Sequence, residues 1–168
     1  MNSAAELRIQ QAYQKGFDYE QQYHGCAQAI IAALIETEFV DEEARLMEAA
    51  TGLSGGMGLS GVGNCGAFTG GSMVLSYLHS VQLNQFKQRS SRDAAYDAVY
   101  ALFRKFTEFY GSCICRDIQT RIFGRSFDLR DPADTDRFQE MGAHTEKCPA
   151  VVGNAARWTA AIILGQDF

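Results

Sequence analysis

What this sequence lacks narrows its reading first. No apolar run approaches the roughly eighteen residues of a membrane span, and Met1 to Tyr23 is polar, without the seven-residue apolar stretch of a secretory signal. These absences predict a cytoplasmic protein with no membrane insertion and with reduced thiols. Basic charge is scarce as well: the formal net charge is -5 and the Lys and Arg residues are scattered, which argues against a nucleic-acid surface. The one small basic cluster, Lys87 with Arg89 and Arg92, reads as a solvated linker. Nowhere does a clean period of two persist with β-branched enrichment, so no sheet is expected. The cysteines lack every familiar local module, with no C-x-x-C, no paired knuckle and no C-x-x-C-H.

What is present is helical spacing over nearly the whole chain. At 168 residues the sequence fits one domain, residues 1–168, long enough to bury a core without disulfides. The prediction is an all-α, compact single-domain bundle of about six or seven helices with a glycine-rich loop. A first helix covers about Ala4 to Tyr23, and a second begins near Cys26 with a stripe of Ala27, Ile30, Ile31, Leu34 and Ile35. Asp41-Glu42-Glu43 supplies the acidic first turn of a third helix, which runs through Leu46, Met47 and Ala50. From Gly52 to Gly66 seven glycines form a loop, and a fourth helix carries Met73, Val74, Tyr77 and Leu78.

Ser90 or Ser91 is expected to cap a fifth helix, whose seam of Tyr96, Val99, Phe103, Phe106 and Tyr110 marks it as the central packing helix. A sixth opens at Ser112, presents Ile114, Ile118 and Ile122, and ends at Gly124. Residues 125 to 146 lack a period and read as an irregular, partly helical connection. Asp128, Asp131, Asp134 and Asp136 lie there, but the glycine and terminal glutamate of a calcium loop are missing. The last helix has Pro149 at its first position and continues through Val152, Ala155, Ala156, Thr159, Ile162 and Ile163. Eleven Phe and seven Tyr leave surplus apolar surface that a homodimer could cover.

Against this background the five cysteines stand out by position. Cys26 follows His24-Gly25, Cys65 follows the glycine loop, Cys113 and Cys115 follow Gly111-Ser112, and Cys148 precedes Pro149. Each falls where a helix is expected to begin, and the unpaired N–H groups and partial positive charge there favour a thiolate. A single cysteine reads best as a small core hydrophobe. The shared placement instead points to a common site, with ligands or thiols brought from separate helices. His24, two residues from Cys26, is the accessory candidate, whereas His79 and His144 carry no expected role. Gly56-x-Gly58-x-x-Gly61 has the form of a dinucleotide fingerprint but follows a helix rather than a strand, so it reads as a close-approach loop delivering Cys65. Gly66 and Gly70 are expected to thin one face of the fourth helix for a close neighbour.

The elements Cys26-Ala27-Gln28-Ala29, Cys65-Gly66-Ala67-Phe68-Thr69-Gly70, Cys115-Arg116-Asp117 and Cys148-Pro149 resemble the family of putative redox-active proteins named for its C-GCAxxG-C-C pattern. By that likeness the family cysteines are Cys26, Cys65, Cys115 and Cys148, and Cys113 is extra. The resemblance implies a small helical protein with a redox or metal-binding role. The leading expectation is an iron–sulfur cluster held by those four cysteines, with His24 or Cys113 nearby, for electron transfer to an unknown redox partner or for redox sensing. One alternative is a metal-free thiol–disulfide protein in which Cys65 attacks, with Cys26 as the other reactive thiol. Another is a structural zinc site in an interaction module.

Overall fold

Small residues decide how closely the helices of this protein approach one another. The computed structural model describes residues 3–42, 44–81 and 83–166, and among them the secondary structure is helical, with a single isolated bridge pairing Asn64 and Ile114. Eight α-helices follow in order: α1 Ser3–Tyr23, α2 Cys26–Glu36, α3 Ala44–Ala50, α4 Gly66–Leu78, α5 Asp93–Tyr110, α6 Cys115–Phe123, α7 Pro132–Glu140 and α8 Cys148–Ile163. The all-α expectation holds, with one helix more than the seven read from the spacing.

The long helix α1 buries Ile9, Ala12, Gly16 and Glu20, residues three or four apart and so on one face. That face lies on α8. A methyl group at Gly16 would come 3.1 Å from Val152 O and Ala156 Cβ, and one at Gly153 would come 2.9 Å from Tyr13 O. On α4, a methyl group at Gly70 would strike Ala27 O and Ile30 of α2, and one at Gly71 would come 2.7 Å from Thr159 Oγ1 of α8. The expected close packing at Gly66 and Gly70 is therefore present, and it lets α4 wedge between α2 and α8.

Helix α8, rather than α5, is the central packing element. It buries Val151, Val152, Ala155, Ala156, Trp158, Thr159, Ala160 and Ala161, residues pointing in every direction around its axis. The aromatic seam expected of α5 is only half realised. Leu102, Phe106 and Tyr110 turn inwards, while Tyr96 and Phe103 stay exposed, because α5 is an edge helix packed on α4 and α8. Phe106 meets Phe68 and Trp158 edge-on at centroid separations of 5.4 Å.

Several boundaries differ from their expectation. Asp41 and Glu42 precede α3, and Glu43 lies outside the described residues. Ser91 does not cap α5, since its hydroxyl donates to Gln88 O at 2.6 Å inside a short 3-10 turn, Arg89–Arg92. Ser112 stands before α6, where its hydroxyl bonds Asp117 Oδ2 at 2.8 Å and accepts from Ile114 N at 3.0 Å. The 125 to 146 segment is more regular than predicted. Asp131 caps α7 by accepting from Asp134 N at 2.9 Å, with Pro132 in the first turn. A five-residue π-helical turn, Ala143–Lys147, then leads straight into α8. Phe123, Phe127, Phe138 and Ala143 form a small second apolar cluster under this segment.

Candidate functional site

The glycine loop is built from left-handed backbone. Gly55, Gly56, Met57, Gly58 and Leu59 are consecutive residues with φ between 60° and 74°, and Gly61 follows at 73°. Such a run is accessible to glycine and costs the two side-chain-bearing residues about 1–2 kcal/mol each. Backbone bonds hold it wound, Gly58 N to Gly52 O at 2.8 Å and Gly61 N to Gly55 O at 2.9 Å. It leaves no strand and enters no βαβ unit, so the Gly56-x-Gly58-x-x-Gly61 pattern lacks the frame of a dinucleotide site, as expected.

The end of this loop runs alongside the start of α6. Cys65 N donates to Cys113 O at 2.8 Å, Cys115 N to Gly63 O at 3.0 Å and Arg116 N to Gly61 O at 2.9 Å. These bonds set Cys65, the N-cap of α4, beside Cys115, the first residue of α6. On the opposite side His24 and Gly25, with φ of 61° and 78°, turn the chain from α1 into α2 and present Cys26 as its first residue. A methyl group at Gly66 would overlap the Cys26 sulfur. Glycine at that position is thus a condition for the two chain segments to meet.

Together these elements enclose a cavity of about 270 Å³, lined by Cys26, Cys65, Cys115 and Cys148. Cys113 is absent from its wall; its thiol bonds Asn64 Oδ1 at 3.3 Å instead. Between the sulfurs the walls are apolar, made by Leu59, Ile118, Ile122, Leu129, Phe138, Val151 and Val152. Polar groups enter from α1 and the π-helical turn. Glu20 is 2 % exposed, its Oε2 has no hydrogen-bond partner, and its Oε1 lies 3.7 Å from His144 Nε2. His144 stacks on His24 with ring centroids 3.7 Å apart and contacts Gln139 Oε1 at 2.9 Å.

The four sulfurs differ in charge state. Cys26 is the acidic one, drawn down to about 6, chiefly because the Cys65 thiol donates a hydrogen bond to it. Burial opposes this, and the N–H groups of Gly55 and Gly66 and the Ser54 hydroxyl reinforce it. Cys65 moves well above its ordinary value, since losing that proton would break the bond and place a second charge in a buried site. Burial also pushes Cys115 up to about 12, with the nearby Cys26 charge adding to it, and raises Cys148. Position at a helix start therefore does not by itself lower a thiol pKa here. Desolvation wins wherever three or four donors do not converge, and at Cys148 the preceding π turn leaves no open helix end.

Among the described residues no group of three or more His, Cys, Asp or Glu side chains is disposed to hold a metal ion. The four cysteines line one cavity.

The model of the C_GCAxxG_C_C family, described as a putative redox-active protein, matches residues 24–162. The chain belongs to this family. No curated protein and no solved structure shows a significant match to it. The family match begins at His24, so Glu20 falls outside it, although the fold brings Glu20 to the same cavity. Two residues of the site escaped sequence reasoning. His144 lies in a stretch without apolar period, and only the π turn aims it at His24. Glu20 sits on the buried face of α1 at the spacing of Ile9, Ala12 and Gly16, a signal visible in the helical register.

Proposed function

We propose that this redox-active protein works as a thiol–disulfide couple formed by Cys26 and Cys65. The observation that carries the reading is the meeting of Cys26, the first residue of α2, and Cys65, the N-cap of α4, on one cavity wall where Gly66 packs against the Cys26 sulfur, with Cys65 drawing the Cys26 thiol down and so pairing a nucleophile with a proton donor. Cys26, rather than Cys65, is then the attacking sulfur. Its thiolate attacks one sulfur of an incoming disulfide, forming a mixed disulfide and releasing the first thiolate. Cys65 gives its proton to that leaving group and attacks the Cys26 sulfur, which releases the second thiolate. Two electrons pass from the dithiol to the incoming disulfide, and Cys26 and Cys65 end joined.

The test is thiol counting with peptide mapping after oxidation. Two of the five thiols should be lost, with Cys26 linked to Cys65, and limiting iodoacetamide at pH 7 should label Cys26 first. In Cys65→Ala the Cys26 labelling profile should shift to higher pH, because the principal donor is gone. A different pairing overturns the reading. So does anaerobically purified protein carrying iron with acid-labile sulfide, or zinc, which would favour the metal-centred alternatives for Cys26, Cys65, Cys115 and Cys148.

A further inference from the structure

From the cavity walls we infer that the disulfide partner of this site is a small molecule, uncharged or cationic and with short arms, rather than an anionic disulfide or a protein. The inference rests on the Cys26–Cys65 couple and adds its substrate class. Three observations carry it. The attacking sulfur faces a partly open cleft of about 270 Å³, just under the usual size of a small-ligand pocket and too small for a folded chain to enter. Among the described residues no Lys or Arg lines that space, so an anion would meet the Cys26 charge in a low-dielectric site without a counter-charge. Among the described residues that line it, Glu20 Oε2 is the buried side-chain atom without a hydrogen-bond partner, an anchor for an amine or hydroxyl on a short arm.

His144 supplies no counter-charge either. His144 is held down at about 4 by burial and by His24, so it is neutral at pH 7. Electrons and protons balance as in the couple itself. The small disulfide takes two electrons and leaves as one thiol carrying the Cys65 proton and one thiolate, which takes its proton from water.

The experiment measures the second-order oxidation rate of the reduced full chain by a charge series at pH 7. Cystamine is cationic, hydroxyethyl disulfide neutral and dithiodiglycolate anionic, and insulin serves as the protein disulfide. Each rate is divided by the rate of the same disulfide with free mercaptoethanol. Cystamine and hydroxyethyl disulfide should exceed dithiodiglycolate by about tenfold or more, as expected for like charges meeting in a poorly solvated site, and should exceed insulin as well. Leu59 lines the cavity at its exposed edge, so Leu59→Arg should raise the dithiodiglycolate rate and lower that of cystamine. Equal normalised rates, or insulin faster than hydroxyethyl disulfide, overturn the selectivity while leaving the couple standing. Failure of every oxidant to join Cys26 to Cys65 sinks the couple itself.

Discussion

The α1–α8 crossing and the 54–65 loop both depend on glycine, and for opposite reasons. At the crossing Gly16 and Gly153 have ordinary helical backbone, and what matters is the missing side chain, which lets the two helices touch through their main chains. In the loop Gly58 and Gly61 show the dihedral reason by itself, with positive φ and no neighbour closer than 3.8 Å to an added Cβ, while Gly55 and Gly56 combine positive φ with neighbours under 3 Å away. Gly66 belongs to the first kind although it adjoins the second, because its φ is ordinary and the obstacle is the Cys26 sulfur. The residue type thus reports a constraint, and only the surroundings say which one.

Substitutions separate the two constraints. Gly153→Leu should have the largest effect, about 3 kcal/mol lost in chemical denaturation, because Tyr13 and its backbone leave no room and an overpacked helix contact cannot relax locally. Gly66→Ala should cost about 1–3 kcal/mol and, in the protein that still folds, slow Cys26 alkylation, since the new methyl group displaces the sulfur from its donors. Gly58→Ala should cost only about 1–2 kcal/mol and leave Cys26 labelling unchanged, because open space surrounds Gly58 and the penalty is purely dihedral. A Gly58→Ala protein as impaired in labelling as Gly66→Ala would break the distinction.

The smallest effect concerns acid. His144 titrates at about 4 when folded against an ordinary 6.5, so the unfolded chain takes up a proton that the folded one resists. Its contribution to stability is present above pH 6.5 and is lost as pH falls from 6.5 to about 4. Glu20 acts in the opposite sense, because its folded pKa is raised by burial and then by the Cys26 charge. The measurement is therefore a difference: His144→Phe, which keeps a ring on His24, should lose less stability than the parent between pH 6.5 and 4. Equal slopes would remove His144 from this account.

Much of the fold was legible where apolar spacing repeats. The stripe of α2, the cap at Gly124 and the start of α4 after Cys65 all follow from local chemistry. The order of burial was not legible. The aromatic seam of α5 looks more central than the small residues of α8, yet small residues are what a helix with neighbours on all sides requires. Helix α7 falls in the stretch expected to be irregular and only partly helical because its apolar content is low, although Asp131-Pro132 is a start signal that marks it.

From the chain alone came the helical class, the family pattern and the sulfurs at helix starts, because periodicity and turn chemistry are properties of a few adjacent residues. Which sulfur is acidic was decided only in three dimensions. Cys26, Cys65, Cys115 and Cys148 begin or precede helices alike, but Cys26 alone receives the Cys65 thiol, two backbone N–H groups and a serine hydroxyl from distant segments. A thiol pKa is the balance of desolvation against converging donors, and that convergence is a property of the assembled fold.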